Sequence, residues 1–198
     1  MRSDDQSHGG PHSRSEVVLI GPQRAGKSTI ARLLGPRLGV PVCSLDALRI
    51  GYYREIGYDE AVAQTIRERE GFLGLYRHWK PFEIYAVERV LTEHRDCVFD
   101  FGAGHSVYDD EAQRARARQA LAQFRNVVLV LPSPDPEESV RILRERIGPW
   151  APQPGVPFFD FERYYVDHPL NHGLASIRVY TRDQTAAQAC EAVLQQRR

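Results

Sequence analysis

Within 198 residues, 26 basic side chains balance 26 acidic ones, giving a formal net charge of zero at pH 7 and a pI near 7.1. That balance leaves no basic excess for a sequence-blind grip on nucleic acid or an anionic bilayer, so neither is expected as a partner and a small molecule is. Cys43, Cys97 and Cys190 are odd in number and lack metal-ligand spacing, and no apolar run approaches the roughly 18 residues of a membrane span, so a reduced, cytoplasmic setting is expected.

Residues 1–15 are polar and contain glycine and histidine; they predict a disordered tail, leaving 16–198 as the folded domain. "EVVLI" at 16–20 reads as a buried strand ending on Gly21, and "KSTIARLLGPRL" from Lys27 puts Ile30, Leu33 and Leu34 on one helical face. "VPVCSL" at 40–45 predicts a second strand. The stretch 46–70 has a helical composition broken by Gly51 and Gly57, and is either a segment over a ligand cleft or an ordinary helical hairpin. Pro81 predicts the first turn of the next helix, continued by "FEIYAVERVLTEH", and "CVFDF" a third strand. "GAGHS" is a loop, "DDEAQRARARQALAQF" a polar helix and "NVVLVL" the clearest strand of the chain. A helix at 133–147, an irregular Pro-, Gly- and aromatic-rich stretch from 148, a strand "SIRVYT" and a closing helix complete the order. Strands alternating with helices predict a three-layer α/β/α fold around a five-stranded parallel sheet.

Gly21-Pro-Gln-Arg-Ala-Gly26-Lys27-Ser28 satisfies G-x-x-x-x-G-K-[ST] at every fixed position, between a predicted strand and a predicted helix. The glycines let successive N–H groups point inward, and the helix dipole adds positive character, so Gly21, Arg24, Ala25, Gly26, Lys27, Ser28 and Thr29 are the candidate cradle for the phosphates of ATP. Lys27 would reach the outer phosphates and Ser28 would ligate Mg²⁺. Of the basic residues only Lys27 and Lys80 are lysines, which draws attention to the second. Asp100 is followed by Phe-Gly-Ala, out of register for a switch GTPase, and by no glutamate of the motor ATPase kind; it remains a candidate Mg²⁺ ligand through water.

The order of these features resembles shikimate kinases and the wider group of small P-loop kinases, including gluconate-type kinases. "LIGPQRAGKSTIARLLG" is similar to that family's opening strand and loop, "SLDAL" to its strand-2 acidic motif, "WKPFE" to its Phe-Arg-x-x-Glu and "FGAGHS" to its glycine-triplet loop. The resemblance implies a P-loop nucleoside-triphosphate hydrolase fold with a lid near 148–160. It also implies an ATP- and Mg²⁺-dependent transfer of the γ-phosphate to a hydroxyl of a small polar acceptor. It places Asp46 on the acceptor hydroxyl, Lys80, Glu83, Gly102, Ala103 and Gly104 around the acceptor, Arg141 against adenine, and Arg144 or Arg146 as the lid charge. Ser44, Lys80 and Ala103 depart from the family's pattern, and a lysine lacks the bidentate fork of a guanidinium, so an acceptor other than shikimate is expected.

Alternatives stay open at several positions. Asp46 either orients the acceptor or caps a helix. Lys80 and Glu83 either fix a polar substrate or are a solvated lysine and a first-turn acid. His105 is a proton carrier or a polar loop residue, and Tyr164, Tyr165, His168 and His172 are cleft lining with no compelled role. The chain as a whole is a small-molecule kinase, a nucleoside or nucleotide kinase, or a nucleotide-binding regulator without transfer chemistry, acting as a monomer or homodimer.

Overall fold

The computed structural model describes residues 16–148 and 158–198. The expected tail, 1–15, and residues 149–157 of the expected lid lie outside them. Five strands, β1 (Val17–Ile20), β2 (Val42–Ser44), β3 (Val98–Asp100), β4 (Val127–Leu131) and β5 (Ile177–Tyr180), form one parallel sheet in the order β2-β3-β1-β4-β5. The central strands β1, β3 and β4 are buried at every residue, which is why they read as continuous apolar runs, whereas edge strand β5 alternates buried Ile177 and Val179 with exposed Arg178.

Helices cover both faces of this P-loop α/β sheet. In chain order they are α1 (Lys27–Leu38), α2 (Leu45–Glu55), α3 (Glu60–Glu93), α4 (Glu111–Leu121), α5 (Pro136–Ile147), α6 (Phe161–Asp167), α7 (Pro169–Leu174) and α8 (Ala186–Gln196). Helix α1 packs on α8, and α3 packs on α2 and α4. The starts follow from local chemistry: the carboxylates of Asp59, Asp110 and Asp135 accept from first-turn amides of α3, α4 and α5, and Thr185 forms a reciprocal capping box with Gln188 on α8. Each such cap contributes about 1 kcal/mol.

One expectation about α3 and one about α2 are corrected. Pro81 does not open a helix but lies inside α3, and the break falls at Gly71, whose φ of 68° and ψ of −164° only glycine tolerates readily. Gly51 likewise sits within α2, while Gly57, at φ 85°, separates α2 from α3. Helices α6 and α7, started by Asp160 and by His168-Pro169, are short elements that the aromatic composition hid.

Register brings the chemistry to one edge. Leu19 of β1 and Ser44 of β2 both pair with Asp100 of β3, so the loop after β1, Asp46 just beyond β2 and Asp100 itself meet at the carboxyl end of the sheet, where open α/β sheets bind ligands.

Candidate active site

Residues 21–26 turn tightly from β1 into α1, with Gly21 at φ 126°, Arg24 at 62° and Gly26 at 107°. Glycine is required at 21, since a Cβ there would lie 2.5 Å from the Val130 carbonyl oxygen of the neighbouring strand. Gly26 stands at the N-cap position of α1 without a side-chain cap, leaving the helix's first amides to whatever occupies the loop. The Lys27 ammonium is buried and folds back on that loop, donating to Gly21 O at 2.9 Å and Pro22 O at 2.7 Å. Burial lowers its pKa to about 8, against the opposing charges of Asp100 and Asp46.

Gln23, Arg24, Gly26, Lys27, Ser28 and Thr29 form one wall of a cleft of about 350 Å³; Asp46, Phe101, Gly102 and Ala103 form the other. Asp100, at the end of β3, is close to Ser28 and Lys27. It is buried, its Oδ1 has no hydrogen-bond partner among the described residues, and burial raises its pKa against the Ser28 hydroxyl and the Lys27 charge. An orphaned carboxylate oxygen beside a serine hydroxyl suits a hard divalent cation. Among the described residues no cluster of three or more His, Cys, Asp or Glu could hold a metal.

Opposite the phosphate loop, Ser44 takes the N-cap position of α2 and Asp46 lies in the helix's first turn, which removes the capping alternative for Asp46. Its side chain is 61% exposed and points to the cleft, with Oδ1 4.0 Å from Nδ1 of fully buried His105. Gly102 lines the cleft, and a Cβ there would lie 2.4 Å from Asp46 Oδ1 and 2.8 Å from His105 Nδ1, while one at Gly104 would lie 2.3 Å from Glu83 Oε1. Both glycines make room for the protein's own carboxylates.

Lys80 is buried rather than solvated. Its three N–H donors go to Glu83 Oε2 at 2.5 Å, Gly104 O at 2.9 Å and Val107 O at 3.0 Å, and its ammonium lies 3.9 Å from the centre of the Tyr76 ring. Glu83 is equally buried. The pair ties α3 to the turn Ala103–Ser106 and leaves no ammonium proton for an acceptor.

The arginines sort differently from expectation. Arg141 pairs with Glu138 and Glu145 on α5. Arg146 reaches the phosphate loop: its guanidinium donates to Arg24 O at 3.1 Å and Thr181 Oγ1 at 3.4 Å. With Ala25, Gly26, Thr29, Thr181, Gln184 and Thr185 it lines a second hollow of about 180 Å³ adjoining the loop. Arg144 is held by Asp160. Arg49, on the turn of α2 that follows Asp46, lies over the Trp79 ring at 4.7 Å. Tyr164 donates to Asp109, His168 accepts from Leu170 N and His172 pairs with Val166 O, so these side chains brace α6 and α7.

No protein-family model matches the chain. It is 27% identical over 163 residues to a shikimate kinase of Leptospira borgpetersenii, covering 80% of this chain and 83% of the relative. To a shikimate kinase of Geobacter metallireducens it is 36% identical over 94 residues, 48% of this chain and 46% of that one. The solved shikimate kinase of Acinetobacter baumannii, in complex with shikimate, superposes with a TM-score of 0.58 at 22% identity over 91% of this chain and 90% of that one. The Aquifex aeolicus enzyme gives 0.57 at 16% identity over 91% and 95%. In sequence and in fold the chain is shikimate kinase-like. The structural likeness, at these identities, speaks for the fold.

Proposed function

We propose that this chain is an ATP- and Mg²⁺-dependent kinase that transfers a γ-phosphate to a hydroxyl of a small polar acceptor. The observation that carries the reading is the cleft between the phosphate loop and Asp46, with Lys27 and Ser28 in its wall and the buried Asp100 carboxylate close to both. Resemblance to shikimate kinases supports the reaction class; the acceptor is argued from the site.

In this reading the amides of residues 21–29 hold the phosphates and Lys27 moves from Gly21 O and Pro22 O onto the outer ones. Ser28 and Asp100 would hold Mg²⁺, which supplies positive charge to the transferring group. Asp46 receives the acceptor's hydroxyl proton as the oxygen–phosphorus bond forms; the bond to the β-phosphate breaks with its electron pair leaving on ADP. The hollow beside Arg146 takes the adenine, the guanidinium lying against the ring. Arg146→Ala should therefore weaken binding of a non-hydrolysable ATP analogue about tenfold, whereas Arg141→Ala should leave it unchanged, measured by isothermal titration calorimetry.

Lys80, fully committed inside the protein, offers nothing to an acceptor carboxylate, so shikimate is not the expected acceptor. The test is mass spectrometry after incubation with Mg-ATP and a metabolite pool containing shikimate and nucleosides. One phosphorylated product other than phosphoshikimate is expected, with turnover falling roughly hundredfold in Asp46→Asn. Tight ATP binding with no product from any acceptor would make the chain a regulator instead.

A further inference from the structure

His105 is 1% exposed, and neither ring nitrogen has a hydrogen-bond partner among the described residues. Folded proteins seldom leave a buried polar group unpaired, and an exception at the wall of a cleft points to a partner that comes and goes. The charged groups around the ring are few. Glu83 and Lys80 reach it from α3, and Asp46 and Arg49 from α2. Glu83 is committed to Lys80, and Arg49 lies over Trp79. The carboxylate oxygen within 4.0 Å of a ring nitrogen is Asp46 Oδ1, facing Nδ1. Gly102 lies alongside that line: any side chain there would collide with both atoms. Asp46 is free to move, being 61% exposed, and about 1 Å of travel would make a hydrogen bond.

Resting on the kinase reading, we infer that His105 is a positioning residue for Asp46: its Nδ1–H binds Oδ1 across the Gly102 notch and turns Oδ2 to the acceptor hydroxyl. Burial lowers the imidazole pKa, so the ring acts as a neutral donor and keeps its proton. During transfer the acceptor's proton goes to Asp46 Oδ2 and the histidine stays neutral throughout. Its task is to choose one rotamer of an otherwise solvated carboxylate.

Two measurements on the full chain test this. Long-range ¹H–¹⁵N spectra of imidazole-labelled protein should show His105 as the Nδ1-protonated tautomer, with that preference lost in Asp46→Ala, which removes the acceptor oxygen. An Nε2-protonated ring indifferent to Asp46→Ala would overturn the pairing whatever the turnover. For the acceptor found in the metabolite pool, His105→Leu should lower kcat about tenfold with KM for ATP unchanged. His105→Asn, whose amide N–H falls near the Nδ1 position, should restore most of it. Equal losses in both variants, tracking their melting temperatures, would reduce His105 to a packing residue and overturn the proposal. If no acceptor is phosphorylated while the Nδ1 tautomer still depends on Asp46, the kinase reading fails and with it the positioning role, but the pairing itself stands.

Discussion

Lys27→Met should lower affinity for a fluorescent ATP analogue by about a hundredfold and remove turnover, because a buried charge-assisted contact to phosphate is lost. In the free protein the ammonium already sits in the loop on Gly21 O and Pro22 O, with one of its three donors left over, so only a short swing separates it from an incoming phosphate. The same contact has a pH signature. Burial holds the lysine near a pKa of about 8, and a triphosphate favours the charged form, so binding takes up a proton above that pH. Affinity should be flat just below pH 8 and fall as pH rises through it. The slope should vanish in Lys27→Met, as read by titrating the analogue between pH 7 and about 10. Unchanged affinity in the variant would refute the phosphate cradle.

The turn between β1 and α1 was legible because everything that specifies it is local. A strand, two glycines at fixed spacing, a lysine and a helix determine the loop's shape within a dozen residues. Asp46 and Asp100 were legible for a related reason: they stand at strand ends, and a parallel sheet sends all such ends to one edge. Arg141 and Arg146 show where linear spacing stops working. Five residues along a helix is about 140° around it, so Arg146 bonds to the phosphate loop while Arg141 pairs with Glu138 and Glu145. Pro81 misled for another reason. Its missing N–H is a helix-start signal only when nothing outside the helix outweighs it, and here packing of α3 on α2 and α4 carries the helix through. Nor could sequence reveal the use made of Gly102 and Gly104, since the carboxylates that fill their Cβ space come from α2 and α3, some 20 or more residues away.

Lys80→Met should be the most destabilising single change at the acceptor wall, costing about 3–5 kcal/mol by leaving Glu83 buried without its cation. The carbonyls of Gly104 and Val107 lose their donor at the same time. At about 2–4 °C per kcal/mol for a chain of this size, the melting temperature should drop by roughly 10 °C in scanning calorimetry. Lys80→Arg should not rescue it, because a planar fork cannot direct donors to three acceptors gathered around one nitrogen. The double variant Lys80→Met/Glu83→Leu should recover much of the loss, since a buried pair replaced by apolar side chains of similar size forfeits attraction and desolvation together. Its remaining deficit measures the two carbonyls. The contrary outcome is equally legible: a Lys80→Met protein that melts like the parent yet no longer binds its acceptor would mean that the ammonium leaves Glu83 for a ligand. A lysine at this position would then serve recognition rather than hold α3 to the turn at 103–106.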